Sequence, residues 1–185
     1  FAPGKQATGI SALPPEFVEQ LSVEQQQLLN YLYRLQANPK DVETQRSAAL
    51  IYDSLSNANE VYLSYALRHW EAVTSTAPSD AEAWTELAAD YFRAHKVDMA
   101  VTSAKKALAL NPDNVNANFN LGVFYMSTEP KDYQSAANQF SRVIKLTERA
   151  AGQENALARA RGMLEQVKKE AAAAGHPIKT DGGTL

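Results

Sequence analysis

Large and small apolar side chains recur in a fixed order along the middle of the chain. Trp84, Leu87 and Tyr91 are spaced by three and four residues, which places them on one face of a helix. Further along, three small residues occupy one face of a second helix and would let it approach the first closely: Ala100, Ala104 and Ala107. The pattern predicts two packed helices joined by a short turn.

Proline-centred junctions separate successive copies of this pattern. They are Asn38-Pro39, Ala77-Pro78 and Asn111-Pro112, and each lies just ahead of an Asp or Asn that opens a new run of helix-forming residues. The residue before a proline is disfavoured in the helical conformation, so each junction marks a helix end. Pro78 and Pro112 are 34 residues apart. Self-similarity at such a spacing indicates an internal structural repeat.

The order Trp84, Leu87, Ala88 and Tyr91, followed by the three alanines, resembles the tetratricopeptide repeat. A third copy carries Leu121, Gly122 and Tyr125 with Asn118 at the Trp84 position, and a first copy carries Gln45, Ala48, Ala49 and Tyr52. The resemblance implies an all-α fold, a right-handed superhelix of antiparallel helix pairs. We predict three repeats within residues 39–150, at about 40–78, 79–112 and 113–148. The extra residues 56–60 are expected to lengthen the second helix of the first repeat.

The flanking segments are predicted to cap this array, because a stack of repeats exposes an apolar face at each end. Ser22 and Gln25 are typical of a capping box and predict an N-terminal capping helix over residues 22–38. An Ala-, Leu- and Lys-rich stretch that stops at Gly175 predicts a C-terminal capping helix over 151–175. Residues 1–21 are expected to form a linker or tail, and residues 176–185 a flexible tail.

The distribution of charged residues predicts that the protein does not bind nucleic acid. The net charge is −3, and the basic residues near the C-terminus, Arg159 among them, alternate with glutamates. We therefore expect a solvated face there, since phosphate binding needs several aligned cations. The chain has no segment apolar enough to insert into a membrane.

Few residues of the sequence are candidates for catalysis or metal binding. The chain has no cysteine, and His69, His95 and His176 are far apart. His69 is expected at a helix boundary facing solvent, while Gly122 and the two tryptophans are expected to pack between helices. We predict that the protein is not an enzyme and uses no metal or cofactor.

Surface shape is then the source of function. In the tetratricopeptide family the first helix of each pair lines a concave groove. Transferring those positions to this chain predicts a partner-binding groove, with Thr85 also on that side. The predicted groove residues are Arg46, Leu50, Glu82, Glu86, Ala89, Phe92, Arg93, Asn116, Phe119, Asn120, Val123 and Met126. The like-charged pair Glu82 and Glu86 favours a basic group on the partner. Phe119, Val123 and Met126 form an apolar stripe that either anchors a partner or packs against the last helix.

The resemblance implies a non-catalytic scaffold whose partner is a protein or peptide with apolar anchors and a basic residue. The alternative is a structural module that homo-oligomerises through repeat or cap surfaces. The family's carboxylate clamp for chaperone tails is broken here, because Glu86 stands where an amide is needed. A chain beginning at Phe1 favours a processed form, anchored to a membrane outside the cytoplasm through an upstream segment, and a cytoplasmic adaptor is the other hypothesis.

Overall fold

The computed structural model describes residues 14–180 and 183–184, and within them the fold is all-helical apart from one short strand pair. The prediction of a helical-repeat solenoid is confirmed. The elements in chain order are α1 Pro15–Val18, α2 Val23–Ala37, α3 Val42–Ser56, α4 Val61–Thr76, α5 Ala81–Arg93, α6 Val97–Leu110, α7 Val115–Tyr125, α8 Tyr133–Thr147, α9 Glu154–Ala173, β1 Lys179–Thr180 and β2 Gly183–Thr184.

The residue two positions after each junction proline is a helix N-cap. The side chains of Asp41, Asp80 and Asn114 accept hydrogen bonds from backbone N–H groups three residues later, at 3.2, 3.0 and 2.9 Å. Each bond satisfies a donor that the helix itself leaves unpaired. The sequence signal at the junctions therefore corresponds to a repeated physical device that starts α3, α5 and α7.

Two compact units make up the chain, with the boundary between Pro78 and Ser79. In the first unit α3 and α4 pair, and α2 packs on α3. Its core contains Leu28, Leu35, Ala48 and Tyr52, with Trp70 fully enclosed. The capping box at the start of α2 is confirmed, because Gln25 N–H donates to Ser22 Oγ while Ser22 N–H donates to the Gln25 side chain.

The inserted residues of the first repeat do not lengthen its second helix as expected. The first helix, α3, continues to Ser56, residues 57–60 form the turn, and α4 starts only at Val61. The N–H groups of Asn57 and Ala58 bond back to α3 carbonyls, which continues that helix end into the turn.

In the second unit α5 pairs with α6 and α7 with α8, α6 also contacts α7, and α9 packs on α8. The core of its C-terminal part consists of buried side chains from α8, α9 and the segment after α9: Ala136, Ala137, Phe140, Val167, Ala171 and Ile178. None of the described helices combines the length and the apolar content that crossing a bilayer requires.

The prediction of a flexible tail is wrong for residues 176–180. After Gly175, at φ +75°, the chain turns back, and Ile178 is only 4% exposed within the α8 and α9 core. Gln134 of α8 binds the backbone of Lys179 twice, accepting from its N–H at 2.8 Å and donating to its carbonyl at 3.0 Å. Residues 176–180 are therefore part of the folded unit, and the segment 1–13 that belonged to the predicted linker lies outside the described residues.

Candidate partner-binding surface

Helix α7 has one buried and one accessible face. Ala117, Leu121 and Phe124 are at most 2% exposed, whereas Asn116 is exposed and Asn120 is half-buried. Gly122 lies where α7 meets α8, since a Cβ added there would lie 2.8 Å from the Phe140 ring. The packing interpretation of Gly122 is confirmed, and close approach on that side leaves the Asn116 side of α7 available.

Helix α5 lies beside α7. The rings of Phe92 and Phe124 stack with centroids 4.7 Å apart, and Asn114 Nδ2 donates to Thr85 Oγ1 at 3.3 Å. Thr85 is only 3% exposed and its hydroxyl also donates to the Ala81 carbonyl at 2.8 Å. Its predicted place on the groove is therefore wrong, because it supports the contact between the two helices instead.

The apolar stripe of α7 is half-buried against the C-terminal core. Phe119, Val123 and Met126 all pack on that cluster, and Phe119 meets Phe140 edge to face at 5.4 Å. The guanidinium carbon of Arg159 on α9 lies 4.4 Å from the centroid of the Phe119 ring, in cation–π range. Packing against the last helix, one of the two sequence-based interpretations, is thus present, and each of the three side chains still keeps an accessible part.

Arg159 is exposed, in agreement with the expected solvated face, and it also covers one side of an aromatic ring. Helical periodicity near the C-terminus could not show which neighbour it meets, because that depends on how α9 packs against the preceding helices. Arg159 joins the candidate surface as a residue that sequence analysis missed.

The polar residues of α5 differ in their surroundings. Glu82 is exposed, and Glu86 and Ala89 are half-buried. Arg93 donates from Nη1 to Asp90 Oδ1 at 3.1 Å, and Asp90 is only 1% exposed. Sequence analysis also missed Asp90 as a residue of this region. The available signal was a carboxylate at a position of α5 where the helical pattern calls for an apolar side chain. A buried carboxylate paired in this way fixes the orientation of Arg93.

Arg46 and Leu50 belong to the first unit. The Arg46 guanidinium carbon lies 5.8 Å from the centroid of the Trp70 ring, and Leu50 is 50% exposed. The other predicted residues lie on α5, on α7 and at the C-cap of α7, all in the second unit. We call that set the α5–α7 surface: Glu82, Glu86, Ala89, Phe92, Arg93, Asn116, Phe119, Asn120, Val123 and Met126.

His69 is not at a helix boundary. It lies within α4, half-buried, and stacks on Tyr52 with ring centroids 5.3 Å apart, while Nδ1 bonds to the Gln45 side-chain oxygen. Burial lowers the pKa of His69 below its ordinary value of 6.5. Among the described residues, no group of three or more His, Asp or Glu side chains is placed to hold a metal ion.

Comparison with known proteins gives one family match. Residues 81–114 match the tetratricopeptide repeat model, a segment that includes all of α5 and α6. The chain is also 31% identical over 81 residues to the BBSome complex member BBS4 homolog of Drosophila melanogaster. That match covers 44% of this chain and only 16% of the length of that relative.

Solved structures with the same fold cover most of the chain. A crystal structure of MamA superposes with a TM-score of 0.63 at 19% identity, covering 79% of this chain and 78% of that one. The Yersinia enterocolitica type III secretion chaperone SycD, in complex with a peptide of the translocator YopD, superposes with a TM-score of 0.61 at 15% identity, covering 70% and 93%. At these identities the similarity shows the fold alone. The chain thus contains a segment, residues 81–114, that matches the tetratricopeptide repeat model, and it shares the helical-repeat fold of MamA and SycD.

Proposed function

We propose that this protein is a non-catalytic interaction scaffold that holds a segment of a partner protein on the α5–α7 surface. The observation that carries the proposal is the exposure pattern of α7. Its buried face is fully used by contacts with neighbouring helices, while Asn116, Asn120 and part of the apolar stripe remain accessible. A helix face that mixes amide groups with apolar surface suits a peptide backbone together with its side chains.

The neighbours of α7 give this surface two walls. On one side α5 is held by the stack of Phe92 on Phe124, and on the other Arg159 of α9 extends over Phe119. Side chains fixed by such contacts lose little freedom on binding, which lowers the entropic cost of association. The surface is thus pre-organised for an extended or helical segment rather than for a small molecule.

Chemistry of the surface restricts the partner. Phe119, Val123 and Met126 fit apolar anchors, and the amides of Asn116 and Asn120 can both donate to and accept from an extended backbone. Glu82, exposed on the first turn of α5 with Glu86 one turn later, favours a Lys or Arg on the partner. SycD, which has the same fold, was solved with a peptide of YopD, and that supports a peptide as the class of partner here.

Site-specific photo-cross-linking tests the proposal. A photoreactive benzoyl-phenylalanine placed at Asn116 of the full chain should cross-link a partner in a cell extract. The same group at Ala109, exposed on α6, is the matched control and should not. The cross-link at Asn116 should disappear when Asn120 is changed to Arg, because a bulky cation would then occupy the middle of the surface.

Other patterns of cross-linking contradict the proposal. Equal cross-linking from positions 116 and 109 would mean unspecific contact, and retention of the partner in the Asn120→Arg variant would place its site elsewhere. A cross-link only to a second copy of this chain would favour self-assembly, which mass measurement by light scattering would then quantify. Circular dichroism of Asn120→Arg and Ala109→Arg checks that both variants stay folded.

A further inference from the structure

A basic cavity lies between α8, α9 and the C-terminal segment. Its volume is about 530 Å³, and four cationic side chains from three chain segments line it: Arg142, Lys145, Lys168 and Lys179. The described residues that line this cavity include no Asp or Glu. It shares no residue with the α5–α7 surface, so the role proposed above leaves it unexplained.

Burial and hydrogen bonds hold the framework of the cavity in place. Ile178 is buried in the C-terminal core, and the paired hydrogen bonds from Gln134 fix the backbone of Lys179 against α8. Since the backbone of Lys179 is held in this way, its cationic side chain is brought beside those of α8 and α9 without any rearrangement. A pre-formed site of this size matches the volumes of ordinary ligand clefts.

Two of the cavity's cations, Lys168 and Arg142, pair with carboxylates that are mostly exposed to solvent. Lys168 Nζ lies 2.9 Å from Glu165 Oε1, and Arg142 pairs with Asp113, but these two carboxylate side chains are 72% and 64% exposed. Pairs at such exposure contribute little and exchange readily for other anions. The hydroxyl of Ser141 and the amide of Asn138 add hydrogen-bonding groups on the same wall.

The floor of the cavity is apolar. Ala137, Leu164 and Ile178 line it between the cations. We propose that the cavity binds an acidic peptide segment in which one apolar residue, flanked by Asp or Glu, enters against this floor. A phosphate backbone carries no group for the apolar floor, so nucleic acid fits less well.

Fluorescence anisotropy with a labelled, acetylated peptide Glu-Glu-Leu-Glu-Glu tests this site on the full chain. The wild-type protein should bind it, and the double change Lys168→Gln with Lys179→Gln should weaken binding roughly fivefold to tenfold, because two ion pairs are lost. The matched control, Lys40→Gln with Arg149→Gln, removes the same net charge at exposed positions outside the cavity and should change affinity by less than about twofold. Arg142→Gln gives an independent variant if the first pair disturbs folding.

Four outcomes would overturn the proposal. They are no binding by the wild type, equal weakening in the cavity and control variants, equal binding of the neutral peptide Gln-Gln-Leu-Gln-Gln, or tighter binding to phosphatidylserine vesicles or single-stranded DNA. Loss of cross-linking at Asn116 would leave this result unaffected, so the two sites are tested separately.

Discussion

The central repeat and the two outer repeats fill equivalent positions in opposite ways. In the central repeat a large side chain, Trp84, stands on the first helix and a small one, Ala104, on the second. In the outer repeats the first helix carries Gln45 or Asn118, and the second carries the large residue, Trp70 or Phe140. Trp70 and Phe140 are at most 1% exposed. The comparison shows that the large side chain lies on the first helix in the central repeat and on the second helix, fully buried, in the outer repeats.

The amides that replace Trp84 have a second role. Gln45 Nε2 donates to the Pro39 carbonyl at 2.7 Å, and Asn118 Nδ2 donates to the Pro112 carbonyl at 3.0 Å. Both bonds reach six residues back to the junction proline. Two repeats thus tie their junction to the first helix with a side-chain hydrogen bond, while the central repeat uses that position for an aromatic ring.

Removing the large side chain of the second helix should have the largest effect on stability. Phe140→Ala in the third repeat should lower the free energy of unfolding by about 3–5 kcal/mol, because the ring is fully buried between α7 and α8 and its loss leaves a cavity. Urea denaturation followed by far-ultraviolet circular dichroism measures this. Tyr33→Ala, at a side chain that is 42% exposed, is the comparison variant. Equal losses in the two variants would contradict the volume argument.

Gly122→Ala tests the same contact from the other helix. A Cβ would lie 2.8 Å from two atoms of the enclosed Phe140 ring, and we expect a loss of about 1–3 kcal/mol. Gly162→Ala is the matched control, since this glycine lies within α9 with nothing within 4 Å of a built Cβ. It should instead raise stability by up to about 1 kcal/mol through helix propensity. A stabilising Gly122→Ala would show that the two helices do not require the close approach.

The repeat and its register could be predicted from the sequence, because both depend on interactions between residues close together along the chain. The caps at Asp41, Asp80 and Asn114 follow from the residue type beside each proline, and the core positions follow from helical periodicity. Thr85, Arg159 and Ile178 could not be placed in this way. Thr85 is buried by the approach of α7, Arg159 is positioned by the crossing of α9, and Ile178 is buried by a return of the chain after Gly175. Each depends on how separate elements meet, which local spacing does not contain.

Asn118→Ala tests whether the amide tie matters in the third repeat. Asn118 is 3% exposed, and its Nδ2 donates to the carbonyls of both Pro112 and Asn114. Its removal should cost about 1–2 kcal/mol of unfolding free energy, because the two hydrogen bonds that this buried amide donates are lost. Asn116→Ala, on the exposed face of the same helix, should change stability by less than about 0.5 kcal/mol. If the two variants unfold at the same urea concentration, the tie contributes nothing measurable.

The equivalent tie in the first repeat should respond weakly to pH. The Gln45 oxygen bonds to His69 Nδ1, and burial lowers the pKa of His69 in the folded state below 6.5. The unfolded chain therefore binds a proton more readily than the folded one, so the contribution of His69 is complete above the unfolded pKa and is lost as pH falls from there through the lower folded pKa. Urea midpoints measured between about pH 7.5 and about pH 5 should decline less in His69→Gln, which keeps an N–H donor but does not titrate. An identical decline with and without His69 would show that the burial of this side chain does not make the stability of the first repeat depend on pH.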